Sequence, residues 1–210
     1  MKKRILLESD EILVQAIDAL TSCEPRFEYV LEHTGMPKLR LRPDGFQTLL
    51  QAIVSQQVSV AAAKAIWSRL EIENFLDPNR ILKTNEERLN SVGLSRQKIR
   101  YAKALAAADL DYIALRRKSD EQVIRILTEV PGIGVWTAEI YAMFSLNRAD
   151  IFAAGDLALK ESARILFSLS ERPTEGELRQ LSTNWSPWRS VAALLLWDYY
   201  SFAKNREGVV

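Results

Sequence analysis

The chain has 210 residues, 48% of them apolar and 26% charged, which excludes a disordered protein and allows one large domain or two small ones with a real core. Its 28 basic and 27 acidic residues leave a net charge of +1, which argues against an electrostatic grip on a long stretch of nucleic acid but permits a local one. One cysteine, Cys23, excludes an intramolecular disulfide, a four-cysteine iron–sulfur cluster and a cysteine-rich zinc site.

Apolar residues recur at helical spacing nearly everywhere and no alternating strand is visible, so the expected class is all-α. The N-terminal "MKKRILLESDEILV" is too acidic, and its apolar run too brief, for a secretory signal. "SDEILVQAIDAL" reads as an amphipathic helix capped by Ser9 or Asp10. The only histidine, His33, lies in "LEHTGMPKL", a helix end and turn, and is expected to be solvated. Chemistry must then rest on carboxylates, backbone and aromatics. "PDGFQTLLQAIV" starts a second clear helix at Asp44, "SQQVS" interrupts it, and "VAAAKAIWSRL" resumes behind a cap at Ser59. Short helices follow at "PNRILK" and "NEERLNSV", the latter closed by Gly93.

"SRQKIRYAKALAAADLDYIALR" is a long alanine-rich helix with a break expected near Asp109, and "SDEQVIRILTEV" opens with a capping box of Ser119 and Gln122. Beyond it, "VWTAEIYAMFSL", "DLALKESARILF", "TEGELRQLSTNW" and "PWRSVAALLLWDYY" complete the helices. The last is apolar on nearly every side, so it is expected to be buried between neighbours. "VAALLLW" falls short of a bilayer span, which makes the cytoplasm the expected compartment, with no membrane contact.

"LTEVPGIGVWTAEI" sets a proline and two glycines, poor helix formers, between good helices. A turn through Pro131 to Gly134 would expose the first amides of the next helix, where the macrodipole favours an anion. A phosphate could rest on the backbone of Gly132, Ile133, Gly134 and Val135 without a lysine. An ordinary helix–turn–helix corner explains the same residues. Asp156 in "FAAGDLALKESARIL" likewise stands where a plain N-cap would.

"AIVSQQVSVAAAKAIWSRL", "VGLSRQKI", "VPGIGVWTAEI" and "DIFAAGDLALK", in that order and followed by "WSPWRSVAALLLW", resemble the helix–hairpin–helix superfamily of DNA glycosylases, in its alkylpurine (3-methyladenine) branch. The resemblance spans about Asp44 to Trp197. It implies a two-lobed fold: a middle lobe over 44–146 carrying wedge and hairpin, a second from 1–43 plus 147–210, and the active-site cleft between them, with Trp136 and Asp156 near its mouth. A β-sheet domain found at the start of some relatives has no room here.

The resemblance makes Asp156 the catalytic carboxylate, compatible with a cap because helix amides favour the charged form. The reaction would be removal of a damaged base from its deoxyribose. Positive charge grows on the sugar as the base departs, and unit charges about 4 Å apart at an effective dielectric near 20 attract by about 4 kcal/mol. Strand-nicking relatives carry a lysine two residues after the second hairpin glycine, where this chain has Trp136. Simple hydrolysis without lyase activity follows. Alkylation at adenine N3 or guanine N7 makes the base cationic, which suits indole faces at Trp136 and Trp197, with Tyr141 or Tyr200 beside them. Core packing accounts for the same aromatics equally well at Trp197.

A base in a duplex must be rotated out and its place filled, for which the resemblance offers Gln56, Gln57 and Val58. Some relatives have a bulky apolar wedge where Gln57 stands. Main-chain carbonyls of Thr128, Val130 and Ile133 would hold a structural Na+ or K+, with no other cofactor required. Arg96, Gln97 and Lys98 could add backbone contacts or be a solvated basic turn. The expected partner is double-stranded DNA with damaged bases, bound by a monomer. A same-fold glycosylase for uracil or a deaminated purine, and a non-catalytic DNA-binding module, both stay open.

Overall fold

The computed structural model describes residues 4–206, so the outermost residues of the expected second lobe and the first three of the N-terminal segment lie outside the described residues. Among the described residues the elements are helical, with one isolated antiparallel bridge between Leu6 and Arg148. The helices are α1 (Asp10–Cys23), α2 (Arg26–Thr34), α3 (Phe46–Ser55), α4 (Val60–Ile72), α5 (Pro78–Lys83), α6 (Glu86–Ser91), α7 (Arg96–Ala107), α8 (Tyr112–Arg117), α9 (Asp120–Thr128), α10 (Val135–Phe144), α11 (Leu157–Leu166), α12 (Glu175–Ser182) and α13 (Arg189–Arg206). A 3-10 turn, Thr183–Trp185, follows α12. None of them is long and apolar enough to cross a membrane.

Local chemistry sets most helix starts. Ser9, Ser59, Asn85, Ser95 and Asp111 each accept an amide of the first turn, and Ser119 with Gln122 forms the reciprocal box. A second box joins Thr174 and Glu177. The start expected at Asp44 falls instead at Phe46, after Gly45 with φ +117° and no side-chain cap. Asp44 is engaged elsewhere: Arg116 Nε donates to its Oδ2 at 2.7 Å and the Tyr141 hydroxyl donates to its Oδ1. A guanidinium and a phenol together hold a carboxylate more strongly than one amide does. The break near Asp109 is real, with that residue at φ +43° between α7 and α8.

Two compact units result, Arg42–Tyr141 and Met1–Leu41 with Ala142–Val210. The division falls inside α10 rather than after Leu146, because Ala142 already belongs to the second unit, where its carbonyl accepts the Arg148 amide at 3.0 Å. In the first unit α7 is the central helix, packed by α3, α5 and α6. Its core is aliphatic: Leu50 and Ile53 of α3, Ile81 of α5, Leu89 of α6, and Ile99 and Leu105 of α7 are buried. In the second unit α13 lies against α11, α2 and α1, and every residue from Ser190 to Leu196 is at most 2% exposed, as its all-round apolar surface requires. Trp185 anchors the rest of that core, with the rings of Phe27, Phe152 and Phe167 within 6.0 Å of its own.

Candidate active site

The hairpin of the 42–141 unit runs from the end of α9 through Glu129–Gly134 into α10. Its two glycines differ. Gly132 has φ +94°, and a Cβ there would stand 2.4 Å from Cγ of the Tyr101 ring, so the fold itself requires glycine. Gly134 has no such φ, and an added Cβ would meet nothing within 4 Å. The Gly134 carbonyl accepts the Ala138 amide at 3.0 Å, which opens α10, and the first turn of any α-helix leaves its amides without intrahelical acceptors. Val135 and Trp136 in that turn are each 47% exposed, whereas Ile133 is buried.

Of the carbonyls expected to hold a cation, that of Thr128 ends α9 while those of Val130 and Ile133 belong to the turn. The Val130 carbonyl accepts the Ile133 amide at 3.0 Å and keeps a second lone pair. Three neutral carbonyl oxygens suit a monovalent hard cation better than a divalent one, and this set contains no carboxylate.

Gln56, Gln57 and Val58 form the turn between α3 and α4, and the structure separates them. Gln56 is half-buried and its Nε2 donates to the Gly132 carbonyl at 2.9 Å, tying this turn to the hairpin. Gln57 is exposed with φ +55°, and Val58 is 39% exposed. Lys98 is not the solvated base the sequence allowed: it is 8% exposed, its Nζ donates to the Val54 carbonyl at 2.7 Å, and burial pushes its amine below the usual lysine range. Arg96 and Gln97 are exposed, and Gln97 donates to the Tyr101 hydroxyl at 2.7 Å. Tyr141 is only 2% exposed, so it does not wall an open pocket here. Its hydroxyl accepts the Gly45 amide at 3.0 Å and donates to Asp44, and burial followed by that carboxylate pushes its pKa up.

In the other unit Asp156 caps α11. Its Oδ1 accepts the Ala158 amide at 2.9 Å and the Leu159 amide at 3.1 Å. The same oxygen accepts Nε1 of Trp197, from α13, at 3.2 Å. Phe144 lies 5.8 Å from the Trp197 ring, and the Arg40 guanidinium stands over that ring at 5.5 Å. Arg40 is held in turn by Asp198, which accepts its Nη2 at 2.9 Å. Burial raises the Asp198 carboxyl, and Arg40 offsets part of that rise. Nothing in the sequence singled out Arg40; Asp198 could have been suspected only from its place beside Trp197. Tyr200 is half-buried with Lys204 Nζ 4.9 Å from its ring, and His33 is exposed, its ring tilted against those of Tyr29 and Phe202.

A glycine-turned helical hairpin in one unit and a capped carboxylate that accepts an indole N–H in the other mark the described residues as a helical protein of a definite class. A family model described as HhH-GPD superfamily base excision DNA repair protein matches residues 50–187. The DNA-3-methyladenine glycosylase 1 of Schizosaccharomyces pombe is 34% identical over 177 residues, which cover 80% of this chain and 78% of that protein. The alkylbase DNA glycosidase-like protein mag2 of the same yeast is 28% identical, covering 91% of this chain and 96% of that one. Among solved structures, a DNA-3-methyladenine glycosidase from Bacillus halodurans is 30% identical with a TM-score of 0.83, covering 96% and 94% of the two chains. The S. pombe 3-methyladenine DNA glycosylase in complex with abasic DNA is also 30% identical, with a TM-score of 0.76 over 87% of this chain and 95% of that one. The chain belongs to the HhH-GPD superfamily of base excision DNA repair proteins.

Proposed function

We propose that this protein is a monofunctional DNA glycosylase that hydrolyses the N-glycosyl bond of alkylated purines, of the 3-methyladenine and 7-methylguanine type, in double-stranded DNA. The observation that carries this reading is the grip on Asp156, whose Oδ1 takes two helix amides and the Trp197 indole N–H. Fixed donors of this kind set the plane of the carboxylate before any substrate arrives.

Charge then flows simply. The glycosidic bond breaks with its electron pair leaving on the base, positive charge spreads over C1′ and the ring oxygen, and the Asp156 carboxylate stabilises it until water adds at C1′ and passes its proton to solvent. A base made cationic by alkylation leaves without an acid to protonate it, consistent with a chain whose lone histidine is an exposed surface residue. Arg40 already stands over Trp197, and a second cation near the same indole is repelled. Recognition of a cationic base is therefore assigned to Trp136, which has 47% of its surface to offer, while Trp197 serves Asp156.

The hairpin of the 42–141 unit binds a DNA phosphate through the α10 amides at Gly134 and Val135, with or without a monovalent cation on the Thr128, Val130 and Ile133 carbonyls. Gln57 fills the space of the displaced base by hydrogen bonding to its former partner. Trp136 stands where a lyase would need an amine, so the product is an abasic site in an unbroken strand, and a single chain suffices for the work.

Duplexes carrying 7-methylguanine, 3-methyladenine or uracil, followed by alkaline cleavage, test this directly. Release of the alkylated bases, no strand break before alkali and no adduct trapped by borohydride are expected. Release of uracil alone would move the protein to another substrate class, and no release from any duplex would leave a DNA-binding module.

A further inference from the structure

The turn that carries Gln57 is held on its N-terminal side by two side-chain hydrogen bonds. Two residues before its start, the Val54 carbonyl at the end of α3 accepts Lys98 Nζ at 2.7 Å. Within the turn, Gln56 reaches back to the Gly132 carbonyl at 2.9 Å. Gln57 stands just beyond these anchors at φ +55°, a conformation that residues with a side chain seldom adopt unless their surroundings impose it.

Packing does not impose it. Beside the turn lies a cavity of about 260 Å³ lined by Gln57, Ile66, Gly93, Lys98 and Tyr101, so the tip has space to collapse into. Gly132 is packed closely against the Tyr101 ring, which fills the volume where a Cβ would stand. The acceptor of the Gln56 bond is thus the stiff point of the hairpin, and the wedge turn hangs from it.

We propose that Gln56 is a positioning residue, aided by Lys98, that couples the Gln57 turn to the phosphate-binding hairpin, so that gripping the strand and filling the vacated base position occur as one event. This deepens the glycosylase reading and rests on it for the role of Gln57. Gln56 touches no substrate; it holds Gln57 at a fixed height above the hairpin backbone. Of the candidates from the sequence, Gln56 therefore leaves the wedge and becomes its hinge post.

Gln56→Glu removes the donor while keeping the size, and Lys98→Met removes the second anchor. One readout is single-turnover release of 7-methylguanine from a paired duplex against release from a duplex with an unpaired bubble at the lesion. A second is the fluorescence of 2-aminopurine placed beside an abasic-site analogue, which rises when the stack is opened. Gln56→Glu is expected to slow release from the paired duplex by about three- to tenfold, with the bubble substrate changed less than about twofold, and to lower the fluorescence rise at equal DNA affinity. An equal loss on both substrates, or no loss on either, overturns the coupling. Where Lys98→Met fails to fold, Gln56→Glu carries the test alone. Wild-type protein that opens the stack but releases no base would refute the glycosylase reading and leave the coupling to be judged by fluorescence. Wild-type protein that gives no fluorescence rise would refute the coupling itself.

Discussion

Substituting alanine at the two hairpin glycines should give opposite outcomes. Gly132→Ala places a methyl 2.4 Å from Cγ and 2.5 Å from Cδ2 of Tyr101, on a residue with φ +94°. The backbone angle costs about 1–3 kcal/mol for a residue with a side chain. Forcing a methyl against a packed ring adds about 1–3 kcal/mol. The sum of about 2–6 kcal/mol, at about 2–4 °C per kcal/mol for a chain of this length, lowers Tm by roughly 4–24 °C. Gly134→Ala adds a methyl that meets nothing within 4 Å, so its Tm should stay within about 1 °C of the parent. That methyl would nevertheless stand where a phosphate approaches the α10 amides. Thermal unfolding by circular dichroism and duplex binding by fluorescence anisotropy separate the two. Gly134→Ala should bind undamaged duplex about 10- to 100-fold more weakly, the loss of roughly one hydrogen bond to an anion. Adding Tyr101→Ala to Gly132→Ala should recover the steric part of the loss. Gly134→Ala that binds DNA like the parent would refute an external contact at that glycine, and Gly132→Ala that melts normally would refute the role of Tyr101.

Three other substitutions probe the second unit and the pH response. Asp156→Asn should abolish 7-methylguanine release in a single-turnover assay while duplex affinity stays within about twofold, and unimpaired release would remove Asp156 from the chemistry. Trp197→Phe keeps a ring beside Phe144 but loses the N–H on Asp156; a hydrogen bond to a charged group is worth about 1.5–3 kcal/mol, so release should slow about 10- to 100-fold with little change in binding. Burial, followed by the charges of Asp44 and Asp109, pushes the Tyr112 phenol up to about 12. The folded state then keeps a proton that the unfolded state loses near pH 10, so this contribution is intact below about pH 10 and lost as pH rises toward 12. Tm measured between pH 9 and 12 should fall less steeply for Tyr112→Phe, and an unchanged slope would assign the alkaline loss to other groups.

Helix periods and caps were legible because they are local. Ser119 and Gln122 stand three residues apart, so one turn of backbone decides their meaning. Asp44 shows where that locality ends. Its sequence context is that of a helix start, but Arg116 and Tyr141, 72 and 97 residues away, outcompete the amides for its carboxylate. Lys98 reads as a basic turn residue for the same reason: the acceptor of its side-chain hydrogen bond is a carbonyl 44 residues earlier. The two hairpin glycines look alike in "PGIG" and differ because Gly132 alone has φ +94° and the Tyr101 ring lies against it.

As a cap alone, Asp156 needs nothing beyond the two amides that Ala158 and Leu159 supply. A third donor changes the balance. Trp197 comes from α13, 41 residues further along, and its indole N–H adds nothing that α11 needs in order to begin. The indole is itself flanked by Phe144 and by Arg40, and Arg40 is pinned by Asp198, so three further side chains surround the one that reaches the carboxylate. Ordering side chains in this way costs conformational entropy that a helix start does not require. Under the proposed role of Asp156, what it achieves is a carboxylate whose plane is fixed, the condition for stabilising a charge that appears only in the transition state.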